Sequence, residues 1–170
     1  YKLMRYINSP FFGRASKMAS VKQGLVFLGE KEIRRFISLV AMSRLASDKP
    51  NELVRASCIR GKFCELIGEN NPCQWDPPEL FTLGMFSLID AIVDATMSDV
   101  MERMPLSPNL THALISRKGP LSPYLALICA YEKGDWHLAS KLATALKIDE
   151  VGLPELYRQA CQWSNSVIEE

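Results

Sequence analysis

Charge of one sign, histidine and long apolar runs are all scarce in this sequence. Its 20 Lys and Arg residues are balanced by 19 Asp and Glu residues, so it has no basic excess to drive binding to nucleic-acid phosphates. Its longest apolar run, YLALICAY, has eight residues, whereas a membrane-spanning helix needs about 20. We therefore expect no nucleic-acid partner and no membrane span.

Cysteine is present but is not arranged as a metal or redox motif. The five residues are Cys58, Cys64, Cys73, Cys129 and Cys161. Their number is odd and no two have the CxxC spacing of a zinc or redox site. We interpret them as free thiols, most of them small apolar residues within helices. Reduced thiols predict a cytoplasmic protein.

Helix signals are dense and strand signals are scarce. Apolar residues recur at helical spacing, and prolines and glycines separate the segments. We predict helices from about residue 51 to Gly68, at 79–94, and at about 97–103, 107–116, 120–133, 135–146 and 153–168. The fold class predicted is all-α: a compact helical bundle in a single domain spanning residues 1–170.

The two ends of the chain carry separate expectations. The opening YKLMRYINSP has no initiator Met and enters partway through an amphipathic helix, so we expect an N-terminally truncated piece of a longer protein. At the other end, Leu156, Ala160, Trp163 and Val167 form an apolar stripe. The stripe can pack on its own domain or dock on a partner; we favour a C-terminal helix, within residues 147–170, packed on the domain.

The predicted helix at 79–94 contains the stretch GMFSLIDAIVD. Apolar residues cover most of its circumference, while Ser87, Asp90 and Asp94 lie within about 60° of one another at 100° per residue. This polar stripe is either a hydrogen-bonded seam or the lining of a polar pocket.

Four segments of the chain are informative together: LMRYINSPFFG, SVKQGLVFLGEKEIRRFISLVAMS, RASCIRGKFCELIG and LFTLGMFSLIDAIVD. They resemble the HDOD domain, the HD-related output domain of bacterial signalling proteins. The later segment MPLSPNLTHALISRKGPLSPYLALICAYEKGDW resembles more particularly the HDOD half of proteins that carry an EAL domain upstream.

The resemblance implies that the metal chemistry of HD hydrolases has been lost. Catalytic HD domains have a first His where this sequence has Ala56, and a His-Asp pair where it has Ser87 and Leu88. We therefore expect no metal, no cofactor and no catalysis. The implied role is an HD-like signalling module in cyclic-di-GMP-associated pathways, acting on protein partners that include an upstream EAL domain; a homodimer is left open.

A different class of function stays open beside this one. A degenerate HD-type hydrolase could still bind a nucleotide or a phosphorylated ligand in the former HD cavity, with Ser87, Asp90 and Asp94 as its polar pocket. Two acids there would repel phosphate unless a cation intervened.

The densest basic positions lie on the two predicted helices that precede the one at 79–94. Arg34 and Arg35 lie on one predicted helix, and Arg60 and Lys62 on the next. They are the candidate partner surface for an acidic protein, the alternative being an ordinary solvated face.

Overall fold

The computed structural model describes residues 51–71, 74–104 and 106–168. In these ranges the chain forms eight α-helices and no strand, which confirms the all-α prediction. The predicted helices before residue 51 lie outside the described residues. The helices are α1 Asn51–Asn70, α2 Pro77–Phe86, α3 Ile89–Val93, α4 Met97–Glu102, α5 Pro108–Ser116, α6 Ser122–Glu132, α7 Trp136–Leu146 and α8 Leu153–Ile168.

Local sequence signals set most of the helix boundaries. Prolines occupy the first turns of α2, α5 and α6, where their missing N–H costs nothing. The N-cap side chains of Ser107 and Asp135 accept hydrogen bonds from the backbone N–H groups of Leu110 and Leu138, which satisfies donors that a helix start leaves unpaired. The predicted bounds of α1 and of α4 to α8 agree with the structure to within about two residues.

Helix α1 is the centre of the described fold. It packs mainly against α2 and α8, while α6 and α7 form a second helix pair. Two glycines allow α1 and α2 to approach closely. A Cβ on Gly84 would lie 2.7 Å from the backbone nitrogen of Gly61, and a Cβ on Gly61 would lie 3.0 Å from the backbone oxygen of Phe81. The two helices therefore touch through backbone atoms at this point.

The C-terminal stripe faces the core formed by the described helices. Leu156, Ala160 and Trp163 are buried, and Val167 is partly buried against the same core. The Trp163 ring meets the Phe81 ring edge to face, with centroids 5.8 Å apart. This arrangement holds α8 on the α1–α2 pair.

The prediction of one continuous helix at 79–94 is wrong, because the helix is interrupted at Ser87 and Leu88. Helix α2 ends at Phe86 and the short α3 begins at Ile89; between them Leu88 has φ −122° and ψ 12°. The Ser87 hydroxyl donates to the Gly84 carbonyl oxygen at 2.7 Å. A hydroxyl bonded to a carbonyl in the preceding turn competes with the helical backbone pattern, which gives a physical reason for the break.

Candidate functional site

The break between α2 and α3 lies at the positions that resemble the HD ligand pair. Ser87 is 2% exposed, and its hydroxyl accepts a hydrogen bond from Nη1 of Arg60 at 3.1 Å. Arg60 also binds Glu132, the last residue of α6, through Nε at 2.8 Å and Nη2 at 2.7 Å to the same Oε2. One guanidinium thus joins α1, the end of α2 and the end of α6, a group we call the Arg60 cluster (Arg60, Ser87 and Glu132).

The Arg60 cluster is partly shielded from water. The side chains of Arg60 and Glu132 are 16% and 19% exposed. Burial alone lowers the pKa of the Arg60 guanidinium, whereas the hydrogen bond and charge of Glu132 raise it, and the net shift is upward. The positive charge of Arg60 is therefore permanent at any pH at which the protein folds.

The third position of the resemblance lies on α1. Ala56 is partly buried and carries no group that can ligate a metal. Its neighbour Ser57 is fully buried, and its hydroxyl has no hydrogen-bond partner among the described residues. Leu88 is partly buried at the break and also carries no group that can ligate a metal.

The three residues of the predicted polar stripe, Ser87, Asp90 and Asp94, differ in exposure. Ser87 is buried, Asp90 is partly buried and Asp94 is exposed. Asp94 is the C-cap of α3 in the left-handed conformation, with φ 52°. Because the helix breaks after Phe86, the regular wheel that aligned these three residues does not apply.

The candidate basic surface also needs correction. Lys62 is 5% exposed and its Nζ lies 2.9 Å from Oε2 of Glu65, which is fully buried. Arg60 is committed to the Arg60 cluster. These two positions therefore form internal ion pairs and not an exposed patch, because Glu65 and Glu132 neutralise them. Arg34 and Arg35 lie outside the described residues.

Four cysteines lie in the described ranges, and all four are free thiols. Burial raises the pKa of Cys58 to about 12. Burial also raises the pKa of Cys64 well above its ordinary value, and the nearby Cys129 adds to the shift. Since the thiolate is the reactive form, Cys58 and Cys64 behave as packing groups at neutral pH.

Metal-ligating side chains do not converge in the described part of the chain. No three His, Cys, Asp or Glu side chains there are grouped so as to hold a metal ion. Both histidines, His112 and His137, are exposed. What the Arg60 cluster offers instead is a fixed positive charge whose three nitrogens already have partners.

These observations define an all-α domain in which the guanidinium of Arg60 binds the junction between α2 and α3. The chain belongs to the HDOD domain family, whose sequence profile matches residues 1–107. This match confirms the resemblance to the HDOD domain.

Two curated relatives align with nearly the whole chain. It is 32% identical to a protein of Vibrio cholerae serotype O1 named cyclic di-GMP phosphodiesterase CdgJ, over 98% of this chain and 39% of that protein. It is 27% identical to a Bacillus subtilis strain 168 protein named Uncharacterized protein YuxH, over 99% of this chain and 41% of that protein. The chain therefore spans about two fifths of the length of these relatives.

Comparison with structures adds no further relative, since no solved structure matches this chain. Among the helices of the described ranges, none has both the length and the apolar character needed to cross a membrane.

Proposed function

We propose that this chain is a non-catalytic signalling and output module that acts through protein contacts in cyclic-di-GMP-associated signalling. Its partners are proteins, among them an EAL domain in the same full-length chain. The fold class and family support a scaffold of this kind, while the role itself is argued from the residues at the α2–α3 break.

The proposal rests on the two hydrogen bonds of the Ser87 hydroxyl, to Gly84 and to Arg60. A hydrolytic site needs groups that are free to bind a metal, activate water or touch a substrate. Ser87 instead donates to Gly84 and accepts from Arg60, while Ala56 and Leu88 offer no ligand atoms. The residues at this junction are used to hold helices together.

The name of the Vibrio cholerae relative is compatible with this proposal. That protein is named a phosphodiesterase, but the alignment covers only 39% of it. We propose that the corresponding activity resides outside the aligned part, and that the aligned part contributes regulation or partner contact.

The alternative, a degenerate hydrolase that still binds a phosphorylated ligand, has one supporting observation. The buried Ser57 hydroxyl is without a hydrogen-bond partner among the described residues, and a ligand could supply one. A phosphate would also need a cation, and Arg60 is neutralised by Glu132. We therefore favour the non-catalytic proposal.

Turnover of cyclic di-GMP by the purified chain tests the catalytic part of the proposal. We expect no linear dinucleotide to form with either Mg²⁺ or Mn²⁺ present. Turnover that Ser87→Ala abolishes, without loss of helical circular dichroism, would establish the degenerate hydrolase instead.

The output role is tested in the full-length protein that carries this chain. Removing the segment should change the cellular cyclic-di-GMP level or the motility response, while the remaining part keeps its own turnover when purified. An unchanged cellular response would contradict an output role.

A further inference from the structure

The Arg60 cluster joins three side chains that lie well apart in sequence. Arg60 lies 72 positions from Glu132 and 27 from Ser87. The contact at Ser87 falls one residue after α2 ends, and the contact at Glu132 falls on the last residue of α6. Both partners are therefore at helix ends, where the chain leaves its helix.

Guanidinium geometry suits this position. Arginine presents five N–H donors in one rigid plane, whereas lysine is a compact point charge. The cluster uses Nε and Nη2 for one carboxylate and Nη1 for one hydroxyl. The planar group thus holds two partners in fixed directions at once.

We propose that the Arg60 guanidinium is a permanent internal cation that ties α1, α2 and α6 together at the junction where the HD resemblance places a metal ion. A metal holds ligands from several helices by coordination; here directional, charge-assisted hydrogen bonds hold them. The Ser87 hydroxyl donates to the Gly84 carbonyl at the helix break and accepts from Arg60. The guanidinium therefore also fixes where α3 begins. This architectural role holds whether or not the proposed signalling function is correct.

Because the Arg60–Glu132 pair is mostly buried, its contribution to stability should be large enough to measure. Exposed ion pairs contribute little, because water screens them and side-chain ordering opposes them. Removing one partner of a buried pair leaves an uncompensated charge and is strongly destabilising. With exposures of 16% and 19%, the Arg60–Glu132 pair lies nearer the buried case.

The chain contains a matched control for this pair. Arg158 and Glu155, both on α8, also form an ion pair through Nε and Nη2, with Nε–Oε2 at 2.8 Å and Nη2–Oε1 at 2.6 Å. Their side chains are 55% and 51% exposed. The two pairs share the same charged groups and the same two donor nitrogens. They differ in exposure, in sequence separation and in the acceptor atoms, because Nε and Nη2 of Arg60 share Oε2 of Glu132, whereas those of Arg158 bind one oxygen each.

Two double-mutant cycles in the same chain test the proposal. One cycle uses Arg60→Met, Glu132→Gln and the double variant; the other uses Arg158→Met, Glu155→Gln and their double variant. Urea unfolding gives the coupling of each pair as a ratio of unfolding equilibrium constants. We expect at least about tenfold coupling for Arg60–Glu132 and within about twofold for the α8 pair.

Hydrogen exchange separates a tie between helices from a general loss of stability. Arg60→Met should accelerate amide exchange selectively at residues 84–93 and 128–135, the two helix ends that Arg60 holds. Arg158→Met should leave both segments unchanged. Arg60→Lys, which keeps the charge but not the fork, is the second variant if Arg60→Met does not fold, and it should show the same local pattern in weaker form.

The contrary result is equally specific. Coupling for Arg60–Glu132 within twofold, or exchange that accelerates uniformly across the chain in both arginine variants, would overturn the proposal. Stoichiometric binding of Mn²⁺ that raises the unfolding midpoint of the wild type and is lost in Ser87→Ala would also overturn it, since the junction would then still hold a metal.

Discussion

Substitution of Gly84 by alanine tests the close contact between α1 and α2. A Cβ at this position would lie 2.5 Å from the carbonyl carbon of Arg60 and 2.7 Å from the backbone nitrogen of Gly61. Real Cβ atoms essentially never approach other atoms within 3.0 Å. Because the obstructing atoms belong to the backbone of a buried helix, no rotamer change can relieve the overlap, and α1 and α2 must move apart.

The expected magnitude follows from two opposing effects. Alanine is favoured over glycine inside a helix by about 1 kcal/mol. Overpacking of a dense core costs about 1–3 kcal/mol and occasionally more, and separation of two helices along their length also weakens many dispersion contacts. We expect a net loss of about 2 kcal/mol in the free energy of unfolding, the upper end of the difference between these two effects, because the obstructing atoms are backbone. This is a large share of a typical 5–15 kcal/mol.

Two glycines on the partner helix α1, Gly61 and Gly68, provide the controls. A Cβ on Gly68 would meet the end of the flexible Leu80 side chain, which can rotate away, so Gly68→Ala should stay within about 1 kcal/mol of wild type. A Cβ on Gly61 would lie 3.0 Å from the Phe81 oxygen and 3.1 Å from the Met85 Cβ, so Gly61→Ala should fall between the two.

Urea unfolding followed by far-UV circular dichroism measures all three variants on one scale. The reasoning predicts the order Gly84→Ala, Gly61→Ala, Gly68→Ala from most to least destabilised. If Gly84→Ala were as stable as Gly68→Ala, the backbone contact between α1 and α2 would be wrong.

Three further changes have expected outcomes. Leu88→Asp should cost only about 1–2 kcal/mol, because the partly buried side chain can turn its carboxylate toward water, whereas Ile89→Asp, at a position 1% exposed, should cost several kcal/mol; equal unfolding midpoints for the two variants would contradict this. Trp163→Ala should cost about 3–5 kcal/mol by emptying a buried site, and a change below 1 kcal/mol in chemical unfolding would show that α8 is not held there. The pKa of the Cys58 thiol is 9.0 when unfolded and about 12 when folded. Between pH 9 and pH 12 the folded state therefore binds more protons than the unfolded state. Its contribution to stability is complete below pH 9 and is lost as pH rises toward 12, by about 1.4 kcal/mol at pH 10; Cys58→Ala should flatten this alkaline decline, and an unchanged pH slope would refute the assignment.

Most helices could be predicted because their signals are local. The prolines at 77, 108 and 123 and the caps Ser107 and Asp135 act on their own turns, so neighbouring residues suffice to locate the helix starts. The apolar period of α8 likewise indicated which face packs inward, with Trp163 at its centre.

The break at Ser87 could not be read from the same signals. Every residue from Leu80 to Val93 fits a helical apolar pattern, and Gly84, the only glycine there, lies inside α2 and not at the break. The break depends on a side-chain hydrogen bond and on a guanidinium from another helix, which are tertiary contacts.

The internal pairing of the basic residues was missed for a related reason. Lys62 could have been matched to Glu65 three positions later, since that spacing permits an ion pair on one helix face. Arg60 gave no such indication, because its partner Glu132 lies on a helix 72 positions away. The composition alone favoured an exposed patch, and only the packing of α6 on α1 shows otherwise.

The positions of the tryptophans give the protein distinct optical reporters. Trp163 is 2% exposed in the core and Trp136 is 61% exposed on α7, where its ring meets Tyr131 edge to face at 5.3 Å. Emission from Trp163 should be blue-shifted and protected from iodide, while emission from Trp136 should be red-shifted and readily quenched. With Trp75 replaced by phenylalanine, loss of iodide quenching without a change in the blue component would report a partner covering α7, whereas a red shift of the blue component would report opening of the core.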